Sequence, residues 1–101
     1  MQTHQYSLTL ISHQVQNSVV EQRAVDGYIN ATAMCKAAGK LMADYTRLKS
    51  TKEFLEALGA DMGNPISQLI QILKNGHTGE QGTWVHPQVA INLAQWLSPQ
   101  F

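Results

Sequence analysis

The chain has 101 residues, of which 44% are hydrophobic and 14% charged, so it is long enough for one small domain with a single core. Seven Lys and Arg residues balance seven Asp and Glu residues, and a net charge of zero argues mildly against a nucleic-acid-binding domain. Neither long uncharged stretch, residues 1–20 or 81–101, is apolar enough to span a membrane or serve as a secretory signal, which favours the cytoplasm.

The first part of the chain has the pattern of a small antiparallel sheet. Residues 6–11 alternate and are rich in Leu, Thr and Ile, which predicts a strand, and residues 18–22 predict its partner. Asp26-Gly27 lies between apolar residues and favours a two-residue hairpin turn, because both positions tolerate positive φ.

The next segment has the composition of a helix. Asn30 is a good N-cap, residues 31–38 are strong helix formers, and Gly39 is placed to end a helix of about two turns. Cys35, the single cysteine, cannot form an intramolecular disulfide. No His or acid is suitably spaced from it, so we expect a buried structural thiol rather than a nucleophile.

A second helical region follows, from about residue 44 to residue 59. Tyr45 and Leu48 form an apolar i, i+3 pair at its start. Residues 50–53, Ser-Thr-Lys-Glu, match a capping box, so either a new helix begins there or the first one bends. Gly59 is placed to end this region, whose apolar face consists of Phe54, Leu55 and Leu58.

The last third of the chain combines loops, strands and a final helix. Residues 66–73 fit both a helical period and a β-branched run, and periodicity does not decide between them. Residues 75–82 contain three glycines and no large apolar side chain, which predicts an exposed loop before a strand at residues 83–85. Pro87 fits the first position of a helix with a broad apolar face, ended by Ser98-Pro99.

No pattern in the sequence indicates a catalytic, cofactor or metal site. The glycine-rich loop lacks the Gly-Lys-Ser/Thr of a phosphate-binding P-loop, and the four histidines are too scattered for a zinc site. Trp84 and Trp96 lie in apolar surroundings and are predicted to be core residues. We therefore expect no cofactor, no metal and no enzymatic activity.

Positive charge is concentrated in one segment. Five of the seven cations fall between Lys36 and Lys52, where Asp44 is the only anion, which gives a local excess of four positive charges. Such a patch attracts polyanions, although a cluster of charges on a helix is commonly only a solvated face.

The order of these elements outlines a winged helix-turn-helix. A capped helix, a glycine turn and a cationic second helix are followed by a hairpin with a glycine-rich tip. We therefore expect an α+β fold with a small antiparallel sheet, a helix-turn-helix, a wing hairpin and a C-terminal helix. In such a fold the second helix enters the major groove, and glycines let backbone amides approach phosphates.

Three ordered blocks of the sequence carry a family resemblance. They are DGYINAT at residues 26–32, KAAGK at residues 36–40 and GTWVHP at residues 82–87, the last followed by Ala90, Leu93, Ala94, Trp96, Leu97, Ser98, Pro99 and Phe101. Over about residues 25–101 the chain resembles the KilA-N domain of phages, large DNA viruses and prophage-bearing bacteria, which is related to the fungal APSES domain. The resemblance implies that residues 1–101 form one DNA-binding domain, the N-terminal part of a longer protein.

The resemblance also assigns roles to segments of the chain. Residues 30–38 correspond to the first helix, Gly39-Lys40 to the turn, residues 43–52 to the recognition helix, and residues 69–74 with 83–85 to the wing, which favours a strand at residues 69–73. The sequence departs from the family in having Tyr45 where Trp is frequent, and in the apolar residues Leu41, Met42 and Ala43 where charge is common.

The expected DNA contacts follow from this assignment. Arg47 is the best candidate for reading sequence, because an arginine bound to guanine through two hydrogen bonds is the commonest specific contact. Tyr45, Thr46 and Lys49 lie beside it and are expected to reach base edges or groove walls. Phosphates are expected to bind Lys36, Lys40 and Lys52, and the wing contact is expected to consist of Gln81 with the amides of Gly79 and Gly82, helped by Lys74 and His77.

The resemblance implies sequence-specific binding to double-stranded DNA by a phage or prophage regulator of transcription, in the bacterial cytoplasm or a phage-infected host cell. Because the net charge is zero, affinity is expected to come from the local patch or from homodimerisation through regions outside this segment. The alternative is a protein-interaction module that retains the fold without binding DNA.

Overall fold

A computed structural model describes residues 10–15, 18–73 and 82–97 of the chain. Helices and strands alternate irregularly along these ranges, and one helix is only a single turn. The elements in chain order are β1 (Leu10–Val15), β2 (Ser18–Arg23), β3 (Ile29–Asn30), α1 (Ala31–Ala38), α2 (Met42–Thr46), α3 (Lys49–Met62), α4 (Ile66–Leu69), β4 (Ile70–Leu73), β5 (Gly82–Val85) and α5 (Pro87–Leu97).

The strands form one antiparallel sheet in the order β1-β2-β3-β5-β4. The short strand β3 joins its two halves, because Ile29 pairs with Gln22 on one side and with Val85 on the other. Helices and an antiparallel sheet in one domain confirm the predicted α+β class. The predicted partner strand at residues 18–22 is also confirmed as β2, which is one residue longer.

The first strand and the turn after β2 differ from prediction. The described part of the first strand runs from Leu10 to Val15, past the predicted end at residue 11, and residues 6–9 of the prediction lie outside the described ranges. The reversal at Asp26-Gly27 is a four-residue loop rather than a two-residue turn. A hydrogen bond of 2.7 Å from the amide of Arg23 to the backbone oxygen of Tyr28 closes this loop. Gly27 has a φ of 79°, so the glycine is required, but it ends a longer loop.

Helix α1 has the predicted boundaries and caps. The Asn30 side chain accepts a hydrogen bond from the amide of Ala33 at 3.1 Å, and Gly39 ends the helix with a φ of 71°. The thiol of Cys35 is buried, and burial raises its pKa to about 11, in agreement with a structural rather than a reactive cysteine.

The main core lies between one face of the sheet and the helices. Helix α5 supplies the predicted apolar face and packs against α1, which in turn packs on β2 and β5, so that the buried residues of α5 join those of the sheet in one core. The buried residues of this core are Val20, Ala31, Met34, Cys35, Tyr45, Leu55, Leu69, Val85, Val89, Ala90, Leu93 and Leu97.

A second, smaller cluster covers the opposite face of the sheet. Neighbouring residues of a strand point to opposite faces, so Trp84 lies on the side away from Val85. Trp84 is fully buried, and the Arg23 guanidinium lies 5.4 Å from its ring centroid and 4.8 Å from that of Tyr28. Arg23 also binds Asp26 and Gln71, which ties β2 to the far edge of the sheet. The prediction that Trp84 is a core residue is confirmed.

Residues 66–73 contain both of the structures that their pattern allowed. Residues 66–69 form the single turn α4, and residues 70–73 form β4. Strand β4 pairs with β5 from Ile70 opposite Val85 to Leu73 opposite Gly82. The described ends of the predicted wing hairpin are therefore present, while its tip lies outside the described residues.

Helix α3 begins earlier and ends later than predicted. Its N-cap is Leu48, so Ser50 is the second helical residue. The predicted capping box between Ser50 and Glu53 does not form among the described residues. Gly59 lies inside the helix, which ends at Gly63 with a φ of 72°. A Cβ atom on Gly59 would lie 2.7 Å from the backbone oxygen of Asn64. The absence of a side chain at Gly59 therefore allows the backbone that follows α3 to pack directly against this helix.

We expect Gly59→Ala to lower the free energy of unfolding by about 1–3 kcal/mol, because the methyl group forces the backbone at Asn64 to move. At an ordinary helical position the same change is stabilising by about 0.5–1 kcal/mol, so the sign of the effect is diagnostic. Urea denaturation of Gly59→Ala, with Ala60→Gly on the exposed face of α3 as calibration of helix propensity, measures it. A stabilised Gly59→Ala protein would contradict the close contact.

Candidate nucleic-acid interface

The five cations between Lys36 and Lys52 are all exposed. Lys36 lies in the last turn of α1 and Lys40 in the turn that follows it, while Arg47 occupies the junction between α2 and α3. Lys49 and Lys52 lie in the first turn of α3. The structure therefore places three of these cations at one location, the α2–α3 junction, which we define as residues 47–52.

The segment predicted as the recognition helix, residues 43–52, is divided between two helices, because the chain breaks at this junction. Of the two alternatives that the sequence left open here, a bend or a new helix, the structure has the new helix, which begins at Lys49. Leu48 is extended, with φ −68° and ψ 140°, and it separates α2 from α3. Tyr45 and Thr51 are both buried, although residues six apart in one continuous helix would point about 120° apart around its axis. The break lets both side chains turn inward, and Arg47 and Leu48 remain exposed between them.

The N-terminus of α3 carries a concentration of positive potential. Among the described residues no side chain caps this helix, and its first turn contains no acid. The free amides and the helix dipole at such an end favour negative charge, and Arg47, Lys49 and Lys52 add to that field. Ser50 is exposed in the same turn. Sequence reasoning missed it because the hydroxyl was interpreted as a cap.

Two carboxylates partly offset these cations. Asp44 Oδ1 lies 2.5 Å from Arg47 Nη2, and Glu53 Oε2 lies 4.0 Å from Lys49 Nζ. All four side chains are largely in water: those of Arg47 and Lys49 are 70% and 90% exposed. Exposed pairs of this kind contribute little to stability, and both cations still face solvent, where an anionic partner can reach them.

Tyr45 is the clearest correction to the predicted contacts. Its side chain is 1% exposed, its hydroxyl donates to Oδ1 of Asn92 at 2.6 Å, and its ring lies 5.6 Å from that of Trp96. Burial raises the pKa of this hydroxyl to about 12. Tyr45 anchors α2 on α5 and is not on a surface that DNA could touch in this conformation.

Lys40 and Thr46 already have partners within the chain. The ammonium of Lys40 lies 4.6 Å from the ring centroid of Trp96 and donates to the Trp96 backbone oxygen at 3.3 Å, near the C-terminal end of α5. A cation is favourable at that end of a helix. Thr46 donates to the backbone oxygen of Ala43 at 3.3 Å. Lys40 is exposed, and Thr46 is half-buried.

The predicted wing contacts fall mostly outside the described residues. Gly82 is described: its φ is 119°, and a Cβ there would lie 3.1 Å from Oγ1 of Thr32. That hydroxyl accepts a hydrogen bond from the amide of Thr83 at 3.0 Å, which fixes the base of the hairpin on the first turn of α1. The other predicted wing residues, Lys74, His77, Gly79 and Gln81, lie outside the described residues.

The described residues give no sign of a metal centre or a membrane span. Within residues 10–15, 18–73 and 82–97, no three His, Cys, Asp or Glu side chains converge on a site that could hold an ion. None of the helices in those ranges combines the length and the apolar character needed to cross a bilayer.

A capped helix, a glycine turn and further helices on an antiparallel sheet with a β4–β5 hairpin form a winged helix-turn-helix-like domain. The family model of the KilA-N domain matches residues 11–101, and the chain belongs to this family.

Curated relatives of the chain occur in a large DNA virus. Three KilA-N domain-containing proteins of Acanthamoeba polyphaga mimivirus are 32%, 35% and 34% identical to it over 77, 83 and 72 residues. These matches cover 75%, 75% and 70% of this chain, but only 17%, 23% and 19% of the relatives. The chain thus spans about a fifth of their length. Among solved structures, "Structure of DNA complex of PCG2" is 22% identical with a TM-score of 0.49, covering 88% of this chain and 78% of that one.

The anchoring role of Tyr45 predicts the effect of removing its hydroxyl. We expect Tyr45→Phe to lower the free energy of unfolding by about 1–2 kcal/mol, because Asn92 loses its partner in a half-buried position. Tyr28→Phe is the matched control, since its hydroxyl binds the Gln68 carbonyl at an exposed site and should matter less. Thermal denaturation of both variants measures the difference, and equal losses would contradict the anchor.

The raised pKa of Tyr45 predicts a loss of stability at alkaline pH. The phenol ionises near pH 10 in the unfolded chain and near pH 12 in the folded one, so its contribution to stability is present below pH 10 and is lost as the pH rises toward 12. The wild-type protein should therefore lose more stability than Tyr45→Phe over this interval. Parallel urea titrations at several alkaline pH values test this, and identical slopes would contradict it.

Proposed function

We propose that this KilA-N domain binds double-stranded DNA and reads its sequence through the α2–α3 junction. The observation that carries the proposal is the uncapped N-terminus of α3, surrounded by the exposed cations Arg47, Lys49 and Lys52. Free amides, a favourable dipole and side-chain charge together form a strong site for phosphates. This local positive field can attract DNA although the chain as a whole carries no net positive charge.

The cations of the junction take different roles in this proposal. Arg47 projects from the break between two helices. Its Nη2 donates one hydrogen bond to Asp44, and the remaining N–H groups can form two hydrogen bonds with a guanine edge in the major groove. Lys49 was expected beside Arg47 at base edges or groove walls, but it lies at the uncapped N-terminus of α3, so we reassign it to phosphates. Lys52 and Lys36 also hold phosphates, with Ser50 as an additional donor. Lys40 and Thr46 support the interface from within, since both have intramolecular partners.

The wing supplies the second contact in this proposal. Gln81, with the amides of Gly79 and Gly82 and with His77 and Lys74, would reach the DNA backbone or the minor groove. The Thr32–Thr83 hydrogen bond supports this by holding the described base of the hairpin against α1. A glycine-rich tip lets main-chain amides approach phosphates closely.

We also propose a biological role for the domain. A DNA-binding domain of this family, with curated relatives in a virus, fits a regulator of transcription encoded by a phage or prophage and acting in the bacterial cytoplasm or an infected host cell. Its activity is binding rather than catalysis, and it would form part of a longer protein in which further regions could make a homodimer.

A protein-interaction module is the second candidate, and a groove on the surface favours it. A cavity of about 390 Å³ lies between the β1–β2 hairpin and helix α5, and its walls are almost entirely apolar. Residues lining it include Val20, Ile29, Met34, Ala90 and Ile91. Grooves of this size accept small molecules or apolar side chains of a partner.

Selection from a random duplex pool separates these functions. The recovered duplex and a scrambled one are titrated at two salt concentrations. We expect a motif to be recovered, and log K to fall by about 0.9 per unit of log salt for each neutralised phosphate. Equal binding to both duplexes would leave a nonspecific DNA-binding domain, and no binding at low salt would favour the interaction module.

Single substitutions at the junction should have different effects. Arg47→Ala should reduce discrimination between the selected and scrambled duplexes by about 1–3 kcal/mol, since a base contact is lost. Lys49→Ala, which removes a similarly exposed cation, should weaken binding to both duplexes alike and reduce the salt slope by about one. Fluorescence anisotropy measures both quantities. Identical behaviour of the two variants would contradict the division of roles.

A further inference from the structure

Asp44 contacts the residue on which sequence reading depends. Its Oδ1 atom lies 2.5 Å from Nη2 of Arg47, and the two residues are separated by three positions across the end of α2. The side chains are 49% and 70% exposed, so the pair faces solvent on the surface that carries the cations.

The contribution of this pair to folding is small. An exposed ion pair is screened by water, and Asp44 adds only the modest benefit of an acid in the first turn of a five-residue helix. Asp44 is also the only anion between Lys36 and Lys52, so it weakens the attraction of this segment for any polyanion. Stability and affinity therefore give little reason for a carboxylate here.

From this geometry we infer that Asp44 is a specificity-determining residue that positions Arg47 for a guanine edge and disfavours its binding to phosphates. This role rests on the proposed DNA-binding function. The carboxylate holds one terminal nitrogen of the guanidinium, and the remaining N–H groups stay free to donate. A side chain already held in place loses less conformational freedom when it binds a base.

The same carboxylate acts against the competing mode of binding. On nonspecific DNA, Arg47 would bind the nearest phosphate, as a cation does on any sequence. Asp44 repels that phosphate and competes for the same N–H groups, so the nonspecific complex is weakened more than the specific one. Discrimination between partners is a difference of two affinities, and a repulsive element raises it as well as an attractive one.

The test uses three variants and one control on the intact chain. Asp44→Asn removes the charge at nearly constant shape, Asp44→Glu keeps it, and the double variant Asp44→Asn/Arg47→Ala removes both partners. Asp61→Asn, on an exposed site in the last turn of α3, makes the same charge change away from the junction. Each is titrated by fluorescence anisotropy with the selected duplex, a scrambled duplex and the selected duplex with each guanine replaced in turn.

We expect Asp44→Asn to bind the scrambled duplex about fivefold more tightly, the effect of removing one like charge near a phosphate. Its affinity for the selected duplex should not rise, so the specificity ratio falls by at least the same factor. The loss of discrimination should be confined to one guanine of the selected duplex. This should be the same guanine that the Arg47→Ala variant no longer distinguishes from its replacements. Asp44→Glu should retain the ratio, and in the Arg47→Ala background Asp44→Asn should leave it unchanged.

Other outcomes overturn the inference. If Asp44→Asn tightens binding to both duplexes equally, as Asp61→Asn would through net charge alone, the carboxylate has no positioning role. A fall in the ratio that persists in the Arg47→Ala background would also exclude action through Arg47. If the wild-type chain binds no duplex at low salt, the proposed function itself fails, and the role of Asp44 fails with it.

Discussion

The burial of Tyr45 fixes the geometry on which the candidate interface depends. Its hydroxyl binds Asn92 and its ring packs near Trp96, so α2 is held on the last helix of the fold. Tyr45 is directed inward and Thr51 is buried at the start of α3, and the break at Leu48 between them lets both side chains face the core. That break exposes Arg47, and no side chain in the described ranges caps the N-terminus of α3. Core packing therefore generates the cationic surface.

Local chemistry explains the parts of the fold that the sequence predicted. The Asn30 cap, the positive φ of Gly39 and the first position of Pro87 in α5 are properties of single residues, and the structure confirms all three. The break at Leu48 and the length of α3 depend on contacts between distant segments, such as Gly59 against Asn64. Contacts between distant segments cannot be inferred from local sequence patterns, so the capping box and the end of α3 were predicted wrongly.

The candidate site shows the same division. A cluster of charge is visible in the sequence, and all five cations from Lys36 to Lys52 are exposed as that reading requires. Which neighbours face inward is decided by tertiary packing, and this removed Tyr45 from the predicted contacts. The same packing gave Lys40 a partner at the end of α5. The i, i+3 spacing of Asp44 and Arg47 is visible in the sequence. The contact between the two side chains forms because α2 ends at Thr46 and places Arg47 at its C-cap, which the sequence did not predict.

The account depends on the α2–α3 junction being the surface that meets DNA. Amide chemical-shift mapping during titration with the selected duplex tests this most directly. We expect the largest shifts at Arg47, Lys49 and Ser50, and little change at residues of the β1–β2 hairpin, such as Val19. Shifts concentrated on the hairpin and the exposed face of α5, with the junction unaffected, would contradict it.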